Sequence, residues 1–531
     1  MRSFKLFSLV SMAVAGFAVG AAADQTSPVT VVPAPVGQGE IHVPATRATA
    51  DLLQSYVEEE FFVSGLADIY TYNEIPVPGE VIIQPVNAAF PQTEDLPYTT
   101  RIIIKRPANV EDFSGTLVIE WWNSTAGMDT APVWDPMAEF AAREGWIYVG
   151  VTNATSSIDF LKGGCLLQGF VQVADCLTRY AALDISANGL AWDMVSQIAN
   201  MLKNPADPQN PLPAGYTVDR LYHAGQSQQG GSMVAYATNF HFPLAAVNDA
   251  YFVQAASTAR RINYGPVCGD VGAPAYPECT PALTGTDRLV ATDLPVPVIR
   301  ALTETDVGSA LANGLRQTDT ATFRYYEIAG ASHMTVHKGI EVIPGLMLES
   351  WCLNEMNSLA DGQVLGSFPQ RAMWKNLEEF VRNGTPMPAG LVLASSGGVI
   401  SRGAISGNAL GGVRTADMVA PIARYEPNNT FDPSLAPLLH DIAQLACYLS
   451  GSTFRYGPGL ISYLYGNHQG YVQAVTSSAD ALVAQRFLLP EDRNLLIVRA
   501  ALSNVACGIG FELVFVLPPI MWLRNRRKRR A

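Results

Sequence analysis

"LYHAGQSQQGGSMVAYA", residues 221–237, runs from an apolar, strand-like start through a polar turn into a stretch with helical spacing. A sharp turn between a buried strand and a helix can raise a serine above the sheet edge if small flanking residues let the two elements approach each other. Gly225 and Gly230 supply such residues around Ser227. Gln229 stands where the usual G-x-S-x-G pattern has its last glycine, so the string by itself also fits an ordinary turn. The role of Ser227 as a nucleophile therefore depends on partners elsewhere in the chain.

A histidine partner is needed because a serine hydroxyl is a poor nucleophile at neutral pH until a base takes its proton. A carboxylate must orient that base, and in this strand, turn and helix arrangement the order along the chain is serine, acid, histidine. Five of the seven histidines fit this order poorly, being too early, too close to the serine or too late: His42, His223, His241, His440 and His468. His333 follows a strand and a Gly-Ala-Ser turn in YYEIAGASHM, which predicts a base above the sheet edge. His337 is the local alternative.

The acid is predicted in PVIRALTETDV, residues 297–307, which has the pattern of a buried strand ending in a polar turn. Asp306 lies between Ser227 and His333 in the chain and beyond the end of that strand, where a loop begins. Glu304, two residues earlier and on the same face, is the alternative acid. A further alternative is that both are solvated carboxylates that cap the next helix.

An oxyanion intermediate also needs two N–H donors aimed at it. The backbone N–H of Gln228, directly after the candidate nucleophile, is the first. The second is expected from the loop that follows LVIEWW, where Asn123, Ser124 and Thr125 are the candidates. The chain has no HGGG string, and WWNST also fits an ordinary strand end with buried tryptophans.

The rest of the chain alternates strand-like and helix-like segments, which predicts an α/β fold with a mostly parallel central sheet flanked by helices. Strands are predicted at 98–107, 115–123, 146–153, 218–225, 245–255, 296–304 and 322–330, and helices at 133–145, 184–204 and 229–239. From 258 to 293 the composition turns to Gly, Pro and Cys, which predicts an inserted loop or lid.

Seven segments spread along the chain resemble blocks of the large bacterial "alpha/beta hydrolase domain-containing" family, within the α/β-hydrolase superfamily. They are VIEWWNSTAGMDTAPVW, GWIYVGVT, AGQSQQGG, TETDV, RYYEIAGASHM, GNALGGVRTADMVAPIARY and LYGNHQGYVQAV, and they span roughly residues 27–505. The resemblance implies the α/β-hydrolase fold, Ser227 as nucleophile, His333 as base and the TETDV acid as third member. The chain departs from the family after the serine, where Gln228 is followed by Gln229 instead of the usual serine.

We therefore predict one α/β-hydrolase domain at 24–505, with the lid at 258–293 and a C-terminal helical extension at 385–505. The block at 407–425 is dense in glycine. Packing of the extension against the core is favoured there over a wall that contacts substrate.

The N-terminus predicts export. Arg2 and Lys5 precede an apolar run that closes in small residues at 21–23. This is the pattern of a secretory signal peptide, here residues 1–23, removed so that the mature chain starts near Asp24.

The C-terminal tail, 506–531, joins an apolar stretch at 508–523 to a basic cluster at 524–530. It resembles the tripartite C-terminal sorting signals of Gram-negative bacteria, which end in an apolar helix and an Arg-rich segment. A 16-residue helix would reach about 24 Å, short of a hydrocarbon layer of about 30 Å. The basic cluster would stay cytoplasmic by the positive-inside rule. The tail predicts surface sorting or membrane association, and a buried C-terminal helix with a solvated basic end is the alternative.

Composition narrows the class of function. A chain of 531 residues with 48% hydrophobic and 15% charged residues is globular, and its net charge of −13 opposes a nucleic-acid partner. Seven cysteines without a C-x-x-C motif argue against a zinc site. In an exported body they predict three disulfides, Cys165 to Cys176, Cys268 to Cys279 and Cys352 to Cys447.

These observations together predict an exported serine hydrolase that acts on a small-molecule ester without a metal or an organic cofactor. Amide or thioester hydrolysis is an alternative chemistry for the same residues. A surface binding protein that keeps the scaffold without turnover is an alternative of another class.

Overall fold

A computed structural model of the chain describes residues 28–35, 55–72, 85–87, 94–165, 174–241, 247–262, 289–334, 341–343, 346–357 and 365–503. The predicted signal peptide, His337, the Cys268 to Cys279 pair, most of the predicted lid and the C-terminal tail lie outside these residues. None of the helices among the described residues has the length and apolar character needed to cross a bilayer.

The described residues form one nine-stranded central sheet. Its strands, in chain order, are β1 (Thr30–Pro33), β2 (Tyr56–Ala67), β3 (Leu96–Pro107), β4 (Thr116–Trp121), β5 (Ile147–Val151), β6 (Arg220–Gln226), β7 (Ala250–Gln254), β8 (Val298–Thr303) and β9 (Phe323–Ile328). Their order across the sheet is β1-β2-β3-β5-β4-β6-β7-β8-β9. The pairs up to β3 with β5 are antiparallel, and all pairs beyond are parallel. The predicted mostly parallel sheet is confirmed.

Helices flank this sheet and form much of the C-terminal region. They are α1 (Trp134–Glu144), α2 (Thr155–Lys162), α3 (Ala174–Arg179), α4 (Ala191–Lys203), α5 (Gln228–Ala235), α6 (Glu304–Ala312), α7 (Ser367–Asn383), α8 (Ala416–Val419), α9 (His440–Ser450), α10 (Pro458–Tyr465), α11 (His468–Ala484) and α12 (Pro490–Leu502). Four short antiparallel pairs complete the regular structure: Tyr70–Tyr72 with Pro85–Asn87, Glu341–Ile343 with Leu346–Met347, Ser395–Ser396 with Val399–Ile400, and Ala423–Glu426 with Ser452–Arg455.

The helix predicted at 184–204 is shorter than expected. It begins at Ala191, after a 3₁₀ turn at Asn188–Leu190. Asp184 is instead paired with Thr99, because its backbone N–H and C=O both bond to that residue of β3. The predicted helix at 229–239 divides into α5 and a following π-helical turn, Tyr236–Phe240.

The core lies between the sheet and its helices and is rich in tryptophan. Strand β4, TLVIEW, is buried at every position, as expected for a parallel strand covered on both faces. Trp121 packs on Trp192 of α4, and Trp146 packs edge to face on Trp374 of α7. Because neighbouring parallel strands end at the same sheet edge, the turns that follow β4, β6, β8 and β9 open into one region.

The C-terminal extension continues the sheet instead of standing apart from it. The N–H of Glu327 in edge strand β9 donates to the carbonyl of Leu391, and its carbonyl accepts from the N–H of Val413. The segment at 407–425 therefore covers the edge, which agrees with the packing role favoured from sequence. A disulfide between Cys352 and Cys447 ties the extension to the loop before α7.

Two of the three predicted disulfides lie among the described residues, and both are formed. Cys165 and Cys176 are joined at 2.04 Å, and Cys352 and Cys447 at 2.06 Å. Such bridges persist in oxidising compartments, so they are compatible with an exported protein.

Candidate active site

Ser227 occupies a strained turn between strand β6 and helix α5. Its backbone has φ 57° and ψ −117°, a conformation that a residue with a side chain rarely adopts. Its N–H donates to the carbonyl of Gln254 in β7 at 2.9 Å, and its carbonyl accepts from Gly231 in α5 at 2.9 Å. The surrounding structure therefore holds the strained backbone in place and presents the hydroxyl at the sheet edge.

Both glycines singled out around this turn are required by close approach. A Cβ at Gly225 would lie 2.3 Å from the carbonyl oxygen of Gln229, in the first turn of α5. A Cβ at Gly230 would lie 2.6 Å from the carbonyl oxygen of Gln254. Since these neighbours are backbone atoms, helix α5 can approach strands β6 and β7 this closely only at glycine.

The structure brings Ser227, His333 and Asp306 into one hydrogen-bonded chain. His333 lies in the loop after β9, and its Nε2 is 2.7 Å from Ser227 Oγ. Its Nδ1 is 2.6 Å from Asp306 Oδ1. Asp306 lies in the first turn of α6. Its second carboxylate oxygen, Oδ2, accepts hydrogen bonds from the N–H and the hydroxyl of Thr303, which fix the carboxylate in place. With Nδ1 carrying a proton toward Asp306, Nε2 is free to accept the proton of Ser227.

The environment of His333 raises the pKa of its imidazole above the ordinary value of 6.5. Burial alone lowers this pKa, because a buried ring loses the hydration that stabilises its charged form. The charge of Asp306 and its hydrogen bond outweigh burial. The contact with Asp306 therefore stabilises the imidazolium that forms when His333 Nε2 takes the proton of Ser227.

Glu304, the alternative acid, is engaged elsewhere. Its carboxylate accepts from the backbone N–H of Gly330 at 2.7 Å and from the guanidinium of Arg402. Burial raises its pKa, and the charge of Arg402 opposes that rise. Its contacts link the start of α6 to the loop that carries His333, whereas the imidazole is bonded to Asp306.

Of the predicted oxyanion donors, Gln228 lies at the start of helix α5, whereas the N–H groups of Asn123 and Thr125 donate to other groups of the protein. Gln228 is the first residue of α5, so its N–H belongs to the helix end where donors have no partner within the helix. Asn123 does not fit the predicted donor role. Its N–H donates to Thr130 and its side-chain amide to the carbonyl of Gln226. The N–H of Thr125 is also engaged, since it donates to the side-chain oxygen of Asn123.

Ser124 is the candidate that lies against the nucleophile turn. Its hydroxyl donates to the side-chain oxygen of Gln228 at 2.9 Å. This contact joins the loop after β4 to the residue that follows Ser227. The two positions predicted to supply oxyanion donors, Ser124 and Gln228, are therefore adjacent.

Two residues that the sequence reasoning missed hold the histidine loop. Gln226 Nε2 donates to the carbonyl of His333 at 2.8 Å. The hydroxyl of Thr305 accepts the N–H of His333 at 3.0 Å and donates to the carbonyl of Pro427 at 2.7 Å. The sequence signal for Gln226 is a polar residue at the end of an apolar strand. Thr305 has the weaker signal of lying between two candidate acids.

No cluster of three or more His, Cys, Asp or Glu side chains with the geometry of a metal site occurs in the described ranges.

Comparison with solved structures finds α/β-hydrolases at low identity. A dienelactone hydrolase from Anabaena variabilis is 14% identical, with 44% of this chain and 82% of that chain covered and a TM-score of 0.24. An alpha-beta serine hydrolase homologue from Coxiella burnetii is 11% identical over 45% and 85%, with a TM-score of 0.23. Thermogutta terrifontis esterase 2 is 11% identical over 48% and 84%, also with a TM-score of 0.23. These similarities are too weak to carry a functional argument.

The family of the chain follows from comparison of its sequence. A search of curated protein sequences finds no match to the chain. The family model described as "Alpha/beta hydrolase domain" matches residues 30–498, which is most of the chain. This span includes the nucleophile turn, the acid turn, the histidine loop and most of the helical extension. The chain therefore belongs to the alpha/beta hydrolase domain family.

Proposed function

We propose that the protein is a serine hydrolase that cleaves carboxylic esters through an acyl-enzyme on Ser227. One observation carries this proposal: Ser227 Oγ, His333 and Asp306 form a continuous chain with donor-to-acceptor distances of 2.7 and 2.6 Å. A serine placed this way can lose its proton to the imidazole as it attacks, and the carboxylate stabilises the imidazolium that forms.

In the first half of the reaction, Ser227 Oγ attacks the ester carbonyl carbon while His333 Nε2 takes the hydroxyl proton. The carbonyl oxygen becomes an oxyanion, which accepts hydrogen bonds from the backbone N–H groups of Gln228 and Ser124. When the tetrahedral intermediate collapses, the bond to the alcohol oxygen breaks. His333 gives its proton to that oxygen, and the acyl group remains on Ser227.

In the second half, water attacks the acyl carbon and His333 Nε2 accepts one of its protons. The same oxyanion site holds the second tetrahedral intermediate. Its collapse breaks the bond to Ser227 Oγ, which regains a proton from His333. The products are one alcohol and one carboxylic acid, and the enzyme returns to its starting state.

We also propose that the enzyme works outside the cytoplasm on small-molecule esters. The signal-like segment at 1–23, the disulfides and the tail at 506–531 support export with membrane association through the tail. N-terminal sequencing and fractionation of the expressed full-length protein check this. Export requires a mature start near Asp24 and a chain outside the cytoplasmic fraction.

The test of the chemistry compares Ser227→Ala with Ser232→Ala, a variant that removes a hydroxyl from helix α5, which follows the nucleophile turn. We expect Ser227→Ala to lower kcat on p-nitrophenyl esters by roughly 10⁴- to 10⁶-fold. Ser232→Ala should retain most of the activity. A fluorophosphonate probe should label the wild type at Ser227 and leave Ser227→Ala unlabelled.

Other outcomes lead to other conclusions. Wild-type activity in Ser227→Ala would refute the nucleophile. Labelling of the wild type without ester turnover would direct the search to amides or thioesters. A folded wild type that neither labels nor turns over any of these substrates would instead indicate a binding protein on a hydrolase scaffold.

A further inference from the structure

The loop that carries Ser124 is held at its base and exposed at its tip. This 122–130 loop runs from β4 toward α1, and Asn123 and Thr130 close its base through backbone hydrogen bonds of 3.0 and 2.8 Å. Residues 125–127 at its tip are exposed. Asp129, by contrast, is 2% exposed. A buried carboxylate in a short exposed loop needs a partner, so its contacts show what anchors the loop.

Asp129 is bound to a buried arginine on β3. Its Oδ2 accepts from Arg101 Nη2 at 3.0 Å and from the hydroxyl of Thr152 at 2.6 Å. Arg101 Nε in turn donates to the Thr152 hydroxyl at 3.0 Å, so these three side chains form a closed triangle. The guanidinium also lies over the ring of Trp122, the residue at the start of the loop, 5.2 Å from the ring centroid.

Beyond Asp129, arginine and glutamate side chains of opposite charge alternate away from the loop. Arg101 Nη1 donates to Glu60 Oε1 at 3.0 Å, and Glu60 also binds Arg179 at 2.7 Å. Two carboxylates and two guanidiniums therefore form a neutral buried set, which we call the Arg101 network: Glu60, Arg101, Asp129 and Arg179. It connects the 122–130 loop to the antiparallel strands β2 and β3 and to α3.

A gain in folding stability is a poor explanation for burying these four charged side chains. Burying ion pairs costs desolvation energy that an apolar replacement would avoid, so such pairs are weak evidence of stabilisation. Their geometry is far more directional than apolar packing, because each hydrogen bond fixes both a distance and an angle. A network of this kind is suited to fixing the position of a loop.

We propose that the Arg101 network positions the backbone N–H of Ser124 for the oxyanion, with Asp129 as the positioning residue in the loop. Asp129 is adjacent to Thr130, and the backbone pair between Thr130 and Asn123 transmits its position to the residue before Ser124. This inference rests on the proposed function, since it assigns a role within that reaction. The hydrogen bonds among Ser227, His333 and Asp306 include no member of the Arg101 network.

The main test is Asp129→Asn in the full chain, assayed on a p-nitrophenyl ester. An oxyanion donor acts in the transition state more than in the bound substrate, so kcat should fall while KM changes little. Complete loss of one donor costs about 10²- to 10³-fold in kcat, and a displaced donor should cost at least about tenfold. The fluorophosphonate labelling rate should fall with kcat. The acid limb of the pH profile should stay in place, because His333 and Asp306 keep their contacts.

Asp492→Asn is the matched control. Asp492 lies in α12, is fully buried and binds the buried guanidinium of Arg371 at 3.1 Å. Like Asp129, it has one carboxylate oxygen without a partner in the described part of the chain. This variant should lower the melting temperature and leave kcat within about twofold of the wild type. If Asp129→Asn likewise loses only stability, the positioning role is overturned.

A second pair of variants covers the case in which Asp129→Asn fails to fold. Thr152→Val removes the hydroxyl that binds both Asp129 and Arg101 but introduces no buried charge. It should lower kcat several-fold with little change in KM, and Thr152→Ser should restore kcat. Unchanged kcat in Thr152→Val would overturn the inference. Activity that survives in Ser227→Ala would overturn the proposed function instead, so the two failures are distinguishable.

Discussion

The two halves of the candidate site are held in different ways. Ser227 is held chiefly by its own chain neighbours, because strand β6 and helix α5 meet there and Gly225 permits their close approach. One backbone hydrogen bond, to Gln254 in the adjacent strand β7, adds to this support. His333 lies in a loop whose supports are distant in sequence. The hydroxyl of Thr305 accepts its N–H, and the side chain of Gln226 donates to its carbonyl.

The C-terminal extension contributes to the histidine half as well. The carbonyl of Pro427 accepts from Thr305, and the carbonyl of Leu449 accepts from the N–H of Met334 at 2.9 Å. The nucleophile half is thus defined by a local strand, turn and helix. The histidine half requires the extension to be docked. Variants in the two halves should therefore fail in different ways.

Among variants that keep Ser227 itself, the largest effect is expected where the histidine half meets its acid. Asp306→Asn keeps the shape of the side chain but removes the charge that stabilises the imidazolium, so kcat should fall by about 10⁴-fold. Steady-state kinetics on a p-nitrophenyl ester measures this loss. The folded structure should persist, because the Thr303 contacts can be made by the remaining side-chain oxygen.

Glu304→Gln is the control for that assignment. Glu304 binds Arg402 and the N–H of Gly330, so the amide should lower the free energy of unfolding by about 1–3 kcal/mol. Its kcat should remain within about tenfold of the wild type, since the imidazole is bonded elsewhere. If Glu304→Gln were the variant that loses 10⁴-fold, the acid would be Glu304.

The next effect concerns the nucleophile half. Gly225→Ala would place a Cβ 2.3 Å from the carbonyl oxygen of Gln229, so the turn must shift. A displacement of about 1 Å at the reacting serine can cost about 10²-fold in kcat. Gly308→Ala in α6 is the matched control, because a Cβ there meets nothing within 4 Å. It should leave kcat unchanged and raise stability by roughly 0.5–1 kcal/mol. Equal behaviour of the two variants would contradict the close-approach argument.

A smaller effect is expected from loosening the histidine loop. Thr305→Val leaves the N–H of His333 and the carbonyl of Pro427 without their partner, which should cost about 1–3 kcal/mol of stability. The imidazole would lose part of its support, so kcat should fall by roughly tenfold, whereas Thr305→Ser should retain it. Thermal unfolding and steady-state kinetics measure the two losses. A kcat equal to that of the wild type would show that the loop is held without Thr305.

The same contrast explains what the sequence could predict. The parallel strands are apolar runs such as TLVIEW, and the nucleophile turn is marked by two glycines at fixed positions, so both are visible in a short window. The assignment of the acid is not local. Glu304 is occupied by Arg402, which lies 98 residues away in the chain. Only the folded extension, which supplies Arg402 to Glu304, shows that Asp306 is the acid bonded to His333.

Strand β2 shows a second limit of sequence reasoning. Its sequence, YVEEEFFVSGLA, carries three consecutive glutamates, which opposes a buried strand by pattern alone. In the fold, Glu58 binds Lys105, Glu59 binds Arg106 and Glu60 binds Arg101, so each acid meets a cation of β3. This pairing depends on the register of the two strands. A single segment therefore carries too little information to predict it.

The pH dependence tests the histidine half without disturbing its structure. His333 must be neutral to accept a proton, and its pKa is raised above 6.5 because Asp306 outweighs the effect of burial. The kcat/KM should therefore fall as pH decreases, with a midpoint above 6.5. Thr305→Val should keep that midpoint, since it changes a backbone contact and leaves the carboxylate in place.

Stability should respond to pH in the opposite direction. The folded state binds the proton on His333 more tightly than the unfolded state, so this group stabilises the fold fully at pH values below the unfolded pKa. Its contribution is lost as pH rises through the folded pKa. Denaturant unfolding across that window, compared between the wild type and His333→Gln, isolates the contribution. A wild type that gains stability relative to His333→Gln as pH rises would contradict the ion pair with Asp306. As pH rises through the folded pKa of His333, activity therefore increases while the stabilisation from the ion pair with Asp306 is lost.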